Sequence, residues 1–465
     1  MTSFFFIILS LGQTNIAPPD SFVYPLRTDP TTELEFTIFP LAQAHLPVFY
    51  KIDWGDGETL GWTEPLQYPV DITRYHRYSS PGRYGIRVMM KDADGNVSNW
   101  SQTCSVEVVP STVKWFAPTE GAVIAAPVID KMGNVYIGDE NGIFYSFSQN
   151  GDLRWRFSAR GPIYSGATIH NGLIYLPALD SQLYCLDTAG KLRWSINLEN
   201  ELWTPATINQ DGSIYIVNDN GTLFSLSPKG KIRWRINVGK EATSSPTIAP
   251  DGLLYIAADS VYCFTLKGKR RWAFGAGEET YFFPAPVPDA QGSIRIGCSD
   301  GYIYALRPDG KVRWRIPVPD EDEIRTEIVY SPEGTMFWGT DGYYLCSKTD
   351  TGRIKIVYEA NDVLCATPAV SDNGTIYLLP DDGTFYAFTA SGRLLFKLDI
   401  ATSDKDLYYT SSPAIGQDGT VYVGSWDGGI YAFYGDAPPA RSLWPQFRQN
   451  AQHTGREKNK PPVKR

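Results

Sequence analysis

The chain predicts an all-β protein: a β-sandwich followed by a β-propeller of eight blades, with seven as the fallback count. Three observations lead there. The first is a recurring Gly-x-x-x-Trp, at Gly151–Trp155, Gly190–Trp194, Gly230–Trp234, Gly268–Trp272 and Gly310–Trp314, with tryptophan steps of 39, 40, 38 and 42 residues by subtraction. A fixed period near forty marks stacked copies of one supersecondary unit. The second is the content of each unit: short β-branched and aromatic runs separated by Asp-Gly or Asn-Gly, where glycine supplies the positive φ of tight hairpins. The third is that no helical period competes in a chain of 465 residues with 42 glycines, 33 prolines and 14 % aromatics.

Residues 1–19 hold one apolar run, Phe4-Phe5-Phe6-Ile7-Ile8-Leu9, too short to span a bilayer. It reads as an export signal, although no Lys or Arg precedes it. Residues 20–110 lack the forty-residue period. They carry Asp53-Trp54-Gly55-Asp56-Gly57, His76-x-Tyr78, Ser80-Pro81-Gly82-Arg83-Tyr84 and the alternation Tyr84-Ile86-Val88-Met90. Period-2 alternation between turn signals predicts a sandwich.

The propeller is assigned to 111–440. Unit five shows the pattern: Pro286-Val287, then Ser293-Ile294-Arg295-Ile296-Gly297, then Asp300-Gly301-Tyr302-Ile303-Tyr304-Ala305-Leu306, then Gly310-Lys311-Val312-Arg313-Trp314. Two units replace the tryptophan with Ile356 and Phe396, and the last core, Gly419 to Phe433, has no fourth strand after it. Val113-Lys114-Trp115-Phe116 stands 40 residues before Trp155. Pairing that strand with the last unit would close the ring and remove exposed sheet edges. In 441–465, Trp444 and Phe447 are expected to pack on the ring near its closure, ahead of a Lys- and Pro-rich tail.

The motifs of the first unit resemble the polycystic kidney disease (PKD) domain, an immunoglobulin-like module common on bacterial surface and secreted proteins. The repeats resemble the pyrroloquinoline quinone (PQQ) type, shared by quinoprotein alcohol dehydrogenases and the periplasmic scaffold of the outer-membrane β-barrel assembly machine. Cys185-Leu186-Asp187-Thr188-Ala189-Gly190-Lys191-Leu192-Arg193-Trp194 matches the docking motif of that family. The resemblance implies that Trp115, Trp155, Trp194, Trp234, Trp272 and Trp314 dock each blade on the next. It also implies no quinone here, because the family's cofactor needs adjacent cysteines and no two of Cys104, Cys185, Cys263, Cys298, Cys346 and Cys365 are adjacent.

Other chemistry finds little support. His45, His76, His170 and His453 are scattered without zinc spacing. Asp219, Asp300, Asp341, Asp382 and Asp427 recur at one turn of successive units, which hairpin formation explains. Asp320-Glu321-Asp322-Glu323 reads as a solvated loop or a partner contact, and Asp92, Asp94 and Asn96 as a hairpin turn or a calcium loop. Arginines flanking the tryptophans, such as Arg154, Arg193, Arg233, Arg271 and Arg313, read as edge protection or a basic rim for an acidic polymer. Across the units, Ser146, Cys185, Ser225, Cys263, Ala305, Cys346, Ala387 and Ala432 share one slot that accepts only small side chains, so these cysteines should be reduced packing residues. A net charge of −9 with mixed signs gives no support to nucleic-acid binding.

The expected function is therefore an exported, monomeric, non-enzymatic scaffold of the bacterial envelope, secreted, periplasmic or surface-bound, with no catalytic, metal or cofactor residues and a protein or glycan partner. A carbohydrate-binding or adhesion protein is the alternative, and a degenerate quinoprotein the third choice.

Overall fold

The computed structural model describes residues 21–23, 27–28, 34–39, 46–66, 72–108, 112–239, 244–289, 292–349, 352–401 and 411–456. The export-signal segment and the basic tail lie outside these residues. Two compact units are present, one made of 1–112 with 386–397 and the other of 113–385 with 398–465. The strands Thr384–Phe388 and Leu394–Asp399 share a sheet with Ala369–Val370 and Ile376–Leu378 of the second unit.

In the first unit a three-stranded sheet runs Ser21–Val23, Leu34–Phe39, Ile72–His76, and a five-stranded sheet runs Arg27–Thr28, Cys104–Val108, Gly82–Lys91, Phe49–Asp53, Thr59–Leu60. Period-2 alternation sends Ile86, Val88 and Met90 inward, where they meet Tyr50, Ile52 and Val106 of their own sheet and Phe36 and Ile38 of the other. The two turn motifs come together: the His76 ring stacks on Trp54 at 4.6 Å, His76 Nε2 lies 2.7 Å from Asp56 Oδ2, and the Tyr78 hydroxyl donates to the Trp54 carbonyl. Asp92 accepts from the Asn96 backbone and side-chain amides at 2.8 and 2.9 Å, which makes the acidic loop a self-satisfied turn.

The second unit holds eight four-stranded antiparallel sheets among the described residues. In chain order they span 128–158, 168–197, 207–237, 247–274, 287–317, 329–359, 369–399 and 414–433. They are numbered 1 to 8 below, and within each the chain runs from the innermost strand outwards. Sheet 8 takes Val113–Pro118 as its outermost strand, paired antiparallel with Gly429–Phe433, so the first strand of the unit completes the last sheet. Apolar cores fill the spaces between neighbours. Ile137 and Phe147 of sheet 1 share one with Tyr422 and Ile430 of sheet 8, which joins the two ends of the circuit. No α-helix occurs among the described residues, only a 3-10 turn at Pro319–Glu321.

The small-residue slot has a cause that lies within each sheet. Ser146, Cys185, Ser225, Cys263, Ala305 and Ala432 pair directly with Trp155, Trp194, Trp234, Trp272, Trp314 and Trp115. On the other side each faces a second-strand residue, such as Tyr136, Tyr175, Tyr215 and Tyr255. Tyrosine and tryptophan then meet over the slot at 5.7–6.1 Å between centroids, and a large residue there would separate them. In sheet 5 the tyrosine is replaced by Arg295, whose guanidinium lies 5.7 Å from the Trp314 ring.

No disulfide links any of the six cysteines. Cys185, Cys263, Cys298 and Cys346 are fully buried, and burial pushes each thiol up to about 12. Iodoacetamide should therefore label at most the half-buried Cys104 and Cys365 in the native protein, and all six after unfolding. Native labelling at Cys185 or Cys263, read by peptide mass spectrometry, would contradict this packing.

Candidate ligand-binding site

An innermost strand has no neighbour on its channel side, so its backbone N–H groups need partners. The C-terminal segment supplies them. Tyr330 N–H of sheet 6 donates to the Trp444 carbonyl at 2.8 Å, and Val370 N–H of sheet 7 to Pro445 at 2.8 Å. Ile415 N–H of sheet 8 donates to the Gln446 side-chain oxygen at 2.8 Å. Ile129, Ile169, Ile208 and Ile248, of sheets 1 to 4, donate to the carbonyls of Ala451, Gln452, Thr454 and Gly455. The segment thus serves seven of the eight inner strands in order, starting at sheet 6 and ending at sheet 4. Sheet 5 is the one passed over, and its residue at that position is Pro288, which has no N–H to offer.

Trp444 therefore seats against sheet 6 rather than near the ring closure between sheets 8 and 1, which corrects the sequence expectation. Its indole N–H donates to Glu327 Oε2 at 2.6 Å, and Arg448 N–H reaches the same oxygen at 2.9 Å. The Arg448 side chain is fully buried; Nη2 donates to Thr207 Oγ1 and the Pro246 carbonyl, and Nη1 lies 3.8 Å from Glu327 Oε1. Burial raises the Glu327 pKa against the pull of Arg448, and lowers that of Arg448 to about 10. His453, 1 % exposed, donates from Nδ1 to the Ala167 carbonyl at 3.1 Å.

Burial and then Arg448 draw the His453 pKa down to about 3. An unfolded histidine titrates near ~6.5, so between the two values only the unfolded chain binds the proton, and stability falls as pH drops through that window. Going from pH 7 to pH 5 should cost wild type about 2 kcal/mol more than His453→Gln. Urea titrations at the two pH values check this, and equal losses in both proteins would refute it.

Above this segment lies a cavity of about 430 Å³ to which all eight sheets or their entry loops contribute. Phe447 lines it from the C-terminal segment, together with Glu327 and Thr367. Tyr164 and Trp203 form one aromatic wall, their rings 5.7 Å apart and tilted by 45°, and Phe283 stands further round. Three of the four charged lining residues, Glu201, Arg325 and Glu327, have side-chain partners in the protein, whereas the fourth, Asp219, is exposed. Glu201 accepts the Trp203 indole N–H at 3.0 Å. Arg325 lies 4.9 Å from the Phe283 ring and pairs with Glu323 and Asp341 at 2.9 and 2.8 Å.

The residues singled out by sequence fall largely outside this cavity. Five of the six named tryptophans sit on the next sheet's turn glycine: a Cβ on Gly151, Gly190, Gly230, Gly268 or Gly310 would come within 2.6–3.0 Å of Trp115, Trp155, Trp194, Trp234 or Trp272. Four of these indoles also donate to a carbonyl of that turn at 2.8–3.2 Å. Trp314 has no such glycine beneath it, since the space around Gly352 is taken by Thr349. Among the turn aspartates, Asp219 reaches the cavity and Asp341 supports Arg325. The flanking arginines bind locally: Arg154 to Ser146 Oγ, Arg193 to Asp187, Arg233 to Ser213 Oγ. Sequence reasoning missed Glu327, Arg448 and the cavity wall. Tyr164, Trp203 and Phe283 each stand four residues before the start of an innermost strand, at Thr168, Thr207 and Val287, and that recurrence could have found the wall.

A family described as outer membrane protein assembly factor BamB matches residues 87–213, 180–331 and 299–437. The chain belongs to this family. The match agrees with the PQQ-type resemblance carried by Cys185–Trp194. Among solved structures, BamB from Moraxella catarrhalis superposes with a TM-score of 0.56 at 14 % identity, over 69 % of this chain and 100 % of that one. Sqt1 from Saccharomyces cerevisiae gives 0.58 at 14 % identity over 69 % and 98 %, and the computationally designed Ika8 protein 0.56 at 15 % over 68 % and 98 %. Likeness at this identity shows the propeller fold alone. No curated protein matches the chain. The cavity wall does not fit a quinone of the dehydrogenase kind, since Cys365 is the one cysteine among its lining residues and its thiol is free.

Proposed function

We propose that the chain is an exported, non-enzymatic scaffold of the bacterial envelope whose propeller holds a protein partner in outer-membrane protein assembly. Membership of the BamB family over 87–437 is the observation that carries this reading. The domain organisation follows: a PKD-like sandwich to about residue 110, an eight-bladed propeller over 111–440, and a C-terminal segment that completes it. Trp115, Trp155, Trp194, Trp234 and Trp272 act as blade-docking residues, and Trp314, which lacks the turn glycine of the next sheet, does not dock in this way. The docked indoles and shared cores favour a rigid ring, which binds partners without the ordering cost that a flexible surface incurs.

The experiment is affinity capture of the tagged full chain from cross-linked envelope fractions of its own host, quantified against an unrelated tagged propeller. Enrichment of outer-membrane assembly components is expected. Recovery of the chain only in the cytoplasmic fraction, or no enrichment over the control propeller, would overturn the reading.

A further inference from the structure

We propose that Glu201 and Asp219, beside the Tyr164 and Trp203 rings, form a site in the central cavity for a small molecule that carries a guanidinium group. The inference is independent of the scaffold reading and comes from comparing one repeat with another. In sheet 6 the Asp341 N–H donates to the Glu323 carbonyl at 3.0 Å, which brings two acidic residues together at the cavity. In sheet 3 the Asp219 N–H donates to the Glu201 carbonyl, also at 3.0 Å, so Glu201 and Asp219 hold the same two positions. The sheet 6 pair grips a guanidinium of the chain. Arg325, two residues after Glu323, donates to Glu323 and Asp341 at 2.9 and 2.8 Å, and it lies 4.9 Å from Phe283 in the loop entering the preceding sheet. Two residues after Glu201 stands Trp203, and the ring in the loop entering its preceding sheet is Tyr164.

Sheet 3 thus repeats the two carboxylates and the neighbouring ring but puts an indole where sheet 6 has the cation. That indole takes one oxygen, Glu201 Oε2. Neither Glu201 nor Asp219 pairs with a cation among the described residues. Turn formation does not use the Asp219 carboxylate either, since the Thr222 N–H of that hairpin is answered by Asn218 Oδ1 at 2.8 Å. Asp219 is exposed and Glu201 half-buried, so a ligand in the cavity reaches both. The other charged lining residues are compensated, Arg325 by two carboxylates and Glu327 by Arg448, which leaves the described lining with negative charge to spare. A guanidinium suits this site better than an ammonium: its planar fork reaches two carboxylates at once, and it stacks on aromatic faces with less hydration to lose. A cavity of about 430 Å³ falls in the size range of small-molecule sites.

The test titrates the full chain at low salt with n-butylguanidinium, its neutral isostere n-butylurea, n-butylammonium and the anion valerate, by calorimetry and saturation-transfer NMR. n-Butylguanidinium should bind about tenfold more tightly than n-butylurea, with n-butylammonium between them and valerate weakest. Glu201→Gln, whose amide oxygen still accepts the Trp203 indole N–H, should weaken n-butylguanidinium about tenfold, and Asp219→Asn, at a more exposed charge, about threefold. Trp203→Arg should abolish binding, because the chain then supplies the cation itself, as Arg325 does in sheet 6. Trp203→Phe keeps a ring without a charge and should retain binding. All four variants should unfold cooperatively near the wild-type temperature, which separates lost binding from lost folding. No binding of n-butylguanidinium, equal binding of n-butylurea, or wild-type affinity in Glu201→Gln or Trp203→Arg would overturn the proposal. Tighter binding of a capped pentapeptide with a central arginine would overturn the small-molecule source.

Discussion

Glu327→Ala should destabilise the propeller by about 3–5 kcal/mol, because it strands the Arg448 guanidinium in the interior without its counter-charge. Glu327 is 3 % exposed and Arg448 fully buried, so the guanidinium loses its counter-charge in the interior. The same substitution removes the acceptor of the Trp444 indole N–H and of the Arg448 backbone N–H. Those two bonds fix the segment at sheet 6, where its path round the channel begins. Removing both charges at once should behave differently. A Glu327→Leu/Arg448→Met protein leaves no buried ion, and buried pairs replaced by apolar residues of similar size are often near neutral. Urea unfolding followed by tryptophan fluorescence measures all three proteins. A Glu327→Ala loss below about 1 kcal/mol, or a double-mutant loss as large as that of Glu327→Ala, would remove the ion pair from this role.

Gly190→Val should cost about 2–5 kcal/mol, against about 1–3 for Gly172→Val in the same sheet. Both glycines have positive φ, +85° and +75°, where a β-branched residue is strained. They differ in surroundings. A Cβ at Gly190 would lie 2.6 Å from the Trp155 indole, whereas nothing stands within 4 Å of one at Gly172. The difference between the two therefore isolates the indole contact from the backbone term. Adding Trp155→Ala to Gly190→Val should make the losses less than additive, because the side chain that the valine strikes is gone. Thermal unfolding of the four proteins gives the answer, and equal costs at Gly190 and Gly172 would show that the indole does not hold the turn.

The repeats were legible because they are local. Asp-Gly turns, two-residue alternation and the Trp spacing each depend on residues within one sheet, so the strands, their order and the strand borrowed from Val113–Pro118 follow from pattern alone. The small-residue slot was legible as a size limit, but its reason was not. Second-strand tyrosines meet fourth-strand tryptophans above it, across strands that sequence can only list in order. Trp444 illustrates the opposite case. Its burial could be guessed from its being an isolated aromatic, but its place could not, since the acceptor it needs is Glu327, 117 residues away.

The amino-acid order by itself determined an all-β chain of repeated four-stranded units whose first strand completes the last, because hairpin chemistry and side-chain period act over a few residues. Only the tertiary structure decided what lies on the axis. The inner strands leave unpaired N–H groups facing one another around a channel, and that geometry arises only once the sheets are arranged in a ring. The segment from Trp444 to Gly455 answers those donors in seven sheets and passes Pro288, and the cavity above it is a consequence of that path.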